Sequence, residues 1–169
     1  QSLLISQTFM DRSSEIPAEV TIERADAGAT PDPLTAETFD RNLGTAASFI
    51  GNTARLFADW AASYRGRPNE LPPADQKVCH AAGGDPNIFY YHSYFELAGD
   101  EALVIEVARI PECLAWNLQT DNYWMESLDY RYHNIHLNKH TAKYRADGGV
   151  TMVLAHRDPG LDNWLDTAG

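Results

Sequence analysis

Cysteine is scarce in this sequence. Among 169 residues only Cys79 and Cys113 are cysteines, too few for the disulfide framework that stabilises many small secreted domains. Two cysteines fit a reducing compartment or, alternatively, a single bridge. The first alternative leads us to predict a cytoplasmic protein.

Positive charge is scarce as well. The chain has 13 Lys and Arg against 24 Asp and Glu, and its formal net charge is −11 at pH 7. Nucleic acids and anionic membranes bind proteins through basic surfaces, so we expect neither as a partner. No apolar run approaches the roughly 20 residues of a membrane span.

The short motifs of several enzyme classes are also missing. The sequence contains no G-x-G-x-x-G, no Walker-A loop, no H-E-x-x-H, no C-x-x-C and no G-x-S-x-G. Dinucleotide oxidoreductases, P-loop NTPases, zinc proteases and α/β-hydrolases are therefore disfavoured, and we predict no cofactor. A triad assembled from distant residues would leave no such motif.

The N-terminal part predicts strands followed by one long helix. Strands are expected at 3–10 and 19–24, within a region that ends in a Pro- and Gly-containing loop at residue 33. A helix is expected within 34–66, with Thr35 as its cap and Gly66 as its stop. Its apolar residues recur every three or four positions and share one face: Phe39, Leu43, Ala47, Ile50, Ala54, Phe57 and Ala61.

Residues 67–169 form the β-rich part. A short helix is expected at 73–82, and a turn at 98–101 predicts a hairpin. The expected strands are 89–97, 103–107, 114–118, 123–131, 135–145 and 150–155. The sequence therefore predicts one α+β domain over residues 1–169. We expect an antiparallel β-sandwich or jelly-roll-like domain with a long helical insertion near the N-terminus.

Reactive side chains are concentrated between residues 116 and 164, and Glu126 is the candidate acid or base. In an extended segment Glu126 shares a face with Trp124 and Tyr130, while Asp129 and Arg131 lie on the other face. A carboxylate beside an apolar wall is suited to general acid or base catalysis. The alternative, which we favour, is that Glu126 is paired or caps backbone N–H groups.

Three histidines have the spacing H-x2-H-x3-H. In a strand His136, Asn138 and His140 share one face and His133 lies opposite. A histidine pair with a carboxylate such as Glu126 is a possible metal site. Hydrogen bonding within a polar sheet face is the favoured alternative, so we predict no metal.

Arginine, tryptophan and tyrosine complete the candidate site. Arg157 precedes the turn sequence Asp-Pro-Gly and is able to bind a carboxylate or a ligand anion with its guanidinium. Trp164 follows and would either brace the sheet or floor a pocket, with bracing favoured. The other aromatic residues, among them Tyr91 and Trp116, would stack on a ligand or, more simply, form the core.

Eight sequence blocks resemble a bacterial family known as domain of unknown function twelve-fourteen. They are PPADQ at 72–76, GGDPN at 83–87, YHS at 91–93, WN at 116–117, YWMESLDYR at 123–131, NKHTA at 138–142, HRDPG at 156–160 and NWL at 163–165. The resemblance covers about residues 35–169. It implies a β-sandwich or jelly-roll-like domain, often found with a companion domain of unknown function twelve-fifty-four.

The resemblance also implies a departure at the C-terminus. Relatives continue beyond Gly169 with a further His, Gly and Arg-Trp ending, and this chain begins with Gln. We therefore expect a fragment of a longer chain, whose last strand is missing or supplied by another copy. An open sheet edge of this kind favours a homo-oligomer.

Two functions remain as hypotheses. The first is a module that binds a small organic or carbohydrate ligand in an aromatic- and Arg-lined pocket, formed by Tyr91, His92, Trp116, Trp124, Tyr130, Arg131, Asn138 and Trp164. The alternative is a hydrolase or lyase that uses Glu126 with a histidine partner, its catalytic residues being Glu126, His136, His140 and Arg157.

Overall fold

A computed structural model describes residues 5–7, 9, 11, 13–23, 25, 28 and 32–168. Its elements are, in order, α1 (Ala36–Tyr64), α2 (Gln76–Ala81), β1 (Ala102–Val107), β2 (Asn117–Gln119), β3 (His136–Asn138), β4 (Val150–Ala155) and β5 (Trp164–Asp166). The predicted α+β class is confirmed. Within these described ranges no helix has the length and hydrophobicity needed to cross a membrane.

The chain divides into two compact units, Gln1–Ala46 and Ala47–Gly169. In the first unit the strand predicted at 19–24 is absent from the described residues 19–23, and that at 3–10 is absent from 5–7 and 9. The remaining residues of both predictions lie outside the described ranges. The side-chain amide of Gln7 donates to the carbonyl of Ala18 (3.1 Å) and accepts from its amide (2.8 Å), which replaces a strand ladder by one local link.

Helix α1 begins and ends close to the predicted positions. The amide of Thr38 donates to Oγ1 of Thr35 at 3.2 Å, as expected for a cap, and the last helical residue is Tyr64. The predicted apolar face is used only near its C-terminal end, where Ala61 is buried and Phe57 half-buried. Earlier members of that face such as Ile50 are exposed.

The strands form one mixed sheet and one two-stranded sheet. In the mixed sheet the order is β1-β4-β5, with β1 antiparallel and β5 parallel to β4. Strands β2 and β3 pair antiparallel, with Leu118 opposite Leu137. The buried cluster against which these sheets pack consists of Leu137, Ala142, Val150, Met152, Leu154 and Leu165.

Strand β4 was predicted correctly, and its composition explains its central place. Val150 and four of the five residues that follow it are buried, so both faces of β4 are covered. The predicted hairpin between 89–97 and β1 is wrong. Residues 89–97 make only isolated bridges, and β1 pairs with the more deeply buried β4 instead.

Candidate functional site

A cavity of about 630 Å³ lies within the second unit. The end of α1, the segment 89–97, strand β1 and the segment 118–125 form its walls. Eight of the side chains that line it are aromatic: Phe57, Trp60, Tyr64, Tyr91, His92, Tyr94, Phe95 and Tyr123. Ligand sites in proteins are typically concave and mostly apolar with a few polar groups, so this cavity is the first candidate.

The last turns of α1 supply one aromatic wall. Phe57, Trp60 and Tyr64 are three and four residues apart, which places them on the same face of the helix. The Phe57 and Trp60 rings lie 6.0 Å apart between centroids. The amphipathic pattern that builds the core at the end of α1 therefore also builds the wall of the cavity.

A chain of hydrogen bonds crosses this wall and ends on His92. Trp60 Nε1 donates to the Tyr64 hydroxyl at 2.5 Å, and that hydroxyl lies 2.9 Å from Nδ1 of His92. The His92 ring also packs edge-on against Trp60 and Tyr64, with centroids 5.4 and 5.7 Å away. These contacts hold the imidazole in one orientation.

The pKa shifts of Tyr64 and His92 favour the neutral forms of both side chains. Burial raises the pKa of Tyr64, and burial lowers the pKa of His92, although the charge of Asp121 acts on His92 in the opposite direction. An indole N–H donates only, so the Tyr64 oxygen accepts from Trp60 and its proton is free to go to His92 Nδ1. When Tyr64 donates to Nδ1, neutral His92 carries its proton on Nε2, which has no hydrogen-bond partner among the described residues.

The backbone of the 89–97 segment is held by side chains rather than by a strand ladder. The amide group of Gln76, the first residue of α2, donates to the carbonyl of Tyr90 and accepts from its N–H, at 2.8 and 2.9 Å. Asn69 makes the same paired contact with Glu96, at 3.0 and 2.9 Å. These clamps position Tyr91 and His92, which were both predicted, on the wall of the cavity.

None of the arginines that the structure describes lines this cavity. The charged residues on its walls are Glu70 and Asp121, both carboxylates. Asp121 is half-buried, and its Oδ1 accepts a hydrogen bond from Gln119 Nε2 at 2.6 Å. Of the predicted pocket residues only Tyr91 and His92 line this cavity, and the predicted Arg131 does not.

Residues 123–131 are a loop, so the predicted strand and its faces are wrong. Oδ1 of Asn122 accepts from the amides of Trp124 and Glu126, at 2.9 and 3.1 Å. Met125 has a φ of 58°. Such local side-chain bonds compete with a strand ladder. Glu126 is exposed, and its carboxylate accepts from the side-chain amide of Asn122 at 2.8 Å rather than from a backbone N–H group.

Three predicted residues of this loop, Trp124, Tyr130 and Arg131, do not line the aromatic cavity. Trp124 packs against Tyr123 (centroids 5.2 Å apart) and, like Tyr130, is exposed. Arg131 binds the carboxylate of Asp129 with two nitrogens, at 2.9 and 2.8 Å. An exposed intramolecular pair of this kind occupies the guanidinium that was predicted to clamp a ligand.

The histidines do not converge on a metal. Oδ1 of Asn138 accepts from the amides of His140 and Thr141, at 2.8 and 3.0 Å, so the chain turns after β3 and His140 leaves the strand. His136 stays on β3. No group of three or more His, Cys, Asp or Glu residues capable of holding a metal ion occurs in the part of the chain that the structure describes.

A second, more open cavity of about 350 Å³ holds His136 and Trp164. Nε1 of Trp164 donates to the carbonyl of Ala155 at 3.1 Å, which braces β5 against β4 as we favoured.

Arg157 is exposed and lines neither of these two cavities. Trp116 donates to the Tyr144 hydroxyl at 3.0 Å and packs against the core. Four of the predicted residues thus lie on cavities, two on each.

His133 is held by a carboxylate of β5. Its Nδ1 lies 2.7 Å from Oδ2 of Asp166, whose Oδ1 accepts from the amide of Ala168 at 2.8 Å. Burial raises the pKa of Asp166, but the hydrogen bonds from His133 and Ala168 and the charges of His133 and His156 outweigh burial. The net pKa of Asp166 is therefore lowered.

A lowered pKa makes Asp166 a source of acid sensitivity. Its stabilising contribution is present above the ordinary carboxyl pKa and is lost as the pH falls below about 4. We expect Asp166→Asn to lower the free energy of unfolding at neutral pH by about 1 kcal/mol. The variant should also lose less stability than the parent between about pH 6 and pH 3, as measured by urea unfolding. Asp100→Asn, in an exposed turn, is the control, and equal acid losses in parent and Asp166→Asn would contradict the assignment.

Among the residues of the aromatic cavity that sequence reasoning missed are Trp60, Tyr64 and Asp121. Trp60 and Tyr64 carried a usable signal, because they continue the helical spacing of Phe57 and Ala61. Their partner His92 is 28 residues beyond Tyr64. Asp121 had no local signal, because its position on the wall depends on how the segment after β2 folds back.

No known family model matches the chain, and no curated protein matches it. A crystal structure of an uncharacterized protein from Burkholderia cenocepacia is similar in sequence and in fold, with 58% identity and a TM-score of 0.90. The match covers 96% of this chain and 45% of that chain, so the chain is similar to a little less than half of a longer uncharacterized protein.

Proposed function

We propose that this chain is a binding module for a small organic molecule, and that the aromatic cavity holds the ligand. The observation that carries the proposal is the hydrogen-bond chain from Trp60 through Tyr64 to His92. It orients the His92 ring, whose Nε2 donates when Tyr64 donates to Nδ1, on the wall of a cavity of about 630 Å³ that eight aromatic side chains help to line. Apolar walls with a few fixed polar groups are the usual composition of small-molecule sites.

A carbohydrate remains within this proposal, because aromatic faces stack on sugar rings as well as on other apolar bodies. The hydrolase or lyase alternative stays a prediction that no observation favours. Its acid or base Glu126 is bonded to Asn122 on an exposed loop, and neither Glu126 nor His140 lines either cavity described above.

We also propose a finer fold type, a family, a cellular location and a mode of strand pairing for this chain. A sandwich or jelly-roll-like fold and membership in domain of unknown function twelve-fourteen rest on the sequence blocks described above. The free thiols of Cys79 and Cys113 support a cytoplasmic location. Strand β1 lies at the edge of its sheet, which supports pairing with a further strand or a second copy.

The binding proposal is tested with Tyr91→Ala, which removes one aromatic ring from the wall of the cavity. Tyr91 is about half exposed and lines the cavity, whereas the control residue Tyr132 is 80% exposed and does not. Thermal-shift screening against amines, carboxylic acids, sugars and neutral aromatics would first identify a binding class. We expect Tyr91→Ala to weaken binding of that class by about tenfold, because an aromatic contact is lost.

Isothermal titration of the parent and both variants provides the measurement. Tyr132→Ala should bind like the parent, and both variants should unfold at nearly the parent temperature. If Tyr91→Ala keeps the parent affinity, the ligand binds outside the aromatic cavity. If none of the ligand classes raises the unfolding temperature of the parent, the binding function is wrong.

A further inference from the structure

We infer that the ligand of the aromatic cavity is an organic cation, a protonated amine or a quaternary ammonium group on a small apolar body. The inference rests on the proposed binding function and narrows it to one charge class. Three features of the walls carry it: the sign of their charge, their aromatic faces, and the free atoms of Asp121 and His92.

The charge of the walls is negative. Glu70 and Asp121 line the cavity, and among the described residues no Lys or Arg lines it. Burial lowers the pKa of His92 and so favours its neutral form, which adds no positive charge. An anionic ligand would therefore be desolvated beside like charges with no lining cation to pair with, whereas the two acidic residues would attract a cation.

The aromatic faces of the cavity also favour a cationic ligand. The face of a tyrosine or tryptophan ring carries the negative part of its quadrupole and attracts cations, including quaternary ammonium groups. One wall residue already does so within the protein, because the Arg65 guanidinium lies over the Tyr94 ring at 5.8 Å from its centroid. Trp60, Tyr91 and Tyr123 line the same cavity.

Free polar atoms complete the recognition. Oδ1 of Asp121 is occupied by Gln119, but Oδ2 accepts no hydrogen bond from the described residues. His92 Nε2 likewise has no hydrogen-bond partner among the described residues, and it donates when Tyr64 donates to Nδ1. The ligand that fits carries its cationic group toward the carboxylate and has an acceptor oxygen, such as a hydroxyl or carbonyl, for His92.

Three probes of nearly equal shape separate charge from size. Choline carries a quaternary nitrogen and a hydroxyl, 3,3-dimethylbutan-1-ol has carbon in place of that nitrogen, and 3,3-dimethylbutanoate is an anion. We expect choline to bind about tenfold more tightly than the alcohol, and the anion to bind most weakly. Isothermal titration or ligand-observed NMR at fixed ionic strength gives the three dissociation constants.

Asp121→Asn tests the origin of the preference. Asparagine keeps an oxygen for Gln119 and removes only the charge, so choline should bind several-fold more weakly while the neutral alcohol binds as before. Asp100→Asn removes a charge from an exposed turn outside the cavity and should change neither constant. Unchanged binding of the alcohol also establishes that the variant keeps its fold.

The outcomes separate this inference from the binding function on which it rests. Equal affinities for choline and the alcohol would overturn the cation preference and leave the binding function intact. The cation preference would also be overturned if the double variant Asp121→Asn, Glu70→Gln kept the parent ratio of affinities for choline and the alcohol. If none of the three probes binds, the cation class is wrong, and the Tyr91→Ala comparison with the broader screen decides the binding function separately.

Discussion

Replacement of Asn163 by alanine should lower the free energy of unfolding by about 3 kcal/mol or more. Its Nδ2 donates to the carbonyls of Lys143 and Thr151, at 2.8 and 2.9 Å, and its Oδ1 accepts from the Lys143 amide at 2.7 Å. One side chain thus joins the turn before β4, the start of β4 and the start of β5.

The backbone of Asn163 adds to this cost. Its φ is 57°, in the left-handed region that asparagine tolerates better than most residues with a Cβ. Alanine would lose all three side-chain hydrogen bonds and would also be less suited to this conformation. All three partners are backbone groups, and the part-buried carbonyl of Thr151 would be left without its donor, which is costlier than the loss of an exposed bond.

The neighbouring residue provides the control. Asp162 makes an ion pair with Lys143 at 2.5 Å, but the two side chains are 65% and 71% exposed. Asp162→Ala is therefore expected to change stability by no more than about 0.5 kcal/mol. Urea unfolding of both variants measures the difference, and similar losses would show that Asn163 does not join these segments.

Replacement of Leu165 by alanine should cost about 3 kcal/mol. Leu165 is the central residue of β5, is fully buried and lies opposite Leu154 of β4 in the parallel pair. It belongs to the cluster that also includes Leu137 of the other sheet. Removal of its isobutyl group would leave a cavity where strands of both sheets meet.

Leu161, four residues earlier, is the matched control because it is 60% exposed. Leu161→Ala should change the free energy of unfolding by less than about 0.5 kcal/mol, as is usual for surface substitutions. The two variants remove the same atoms, so the difference in their urea midpoints isolates burial. A small loss in Leu165→Ala would mean that β5 does not pack as a core strand.

Elements with a strong local pattern were predictable. The capped 3.6-residue periodicity located α1, and apolar content after a Gly-Gly turn located β4. Pairing was not predictable in the same way. Strand β1 was recognised from its alternation but assigned to 89–97, whereas it pairs with β4, because β4 covers more apolar surface.

The loop at 123–131 shows how a few polar atoms override such a pattern. The alternation of Trp124, Glu126 and Tyr130 resembled a strand, but the Asn122 side chain binds the amides that a neighbouring strand would need. Asp129 does the same to the amide of Arg131 at 3.1 Å. In a loop, alternate residues do not lie on two separate faces. The candidate acid Glu126 therefore does not have the apolar surroundings that the predicted strand would have given it.

The sequence by itself determined the α+β class, the long helix and the excess of negative charge, and it directed attention to Tyr91 and His92. Each of these depends on composition or on neighbours within a few positions. Only the tertiary structure brought His92 to Trp60, Tyr64 and Asp121, residues from two other segments of the chain. The physical reason is that a cavity wall is decided by which segments bury most apolar surface against one another, and that competition is settled across the whole chain rather than along it.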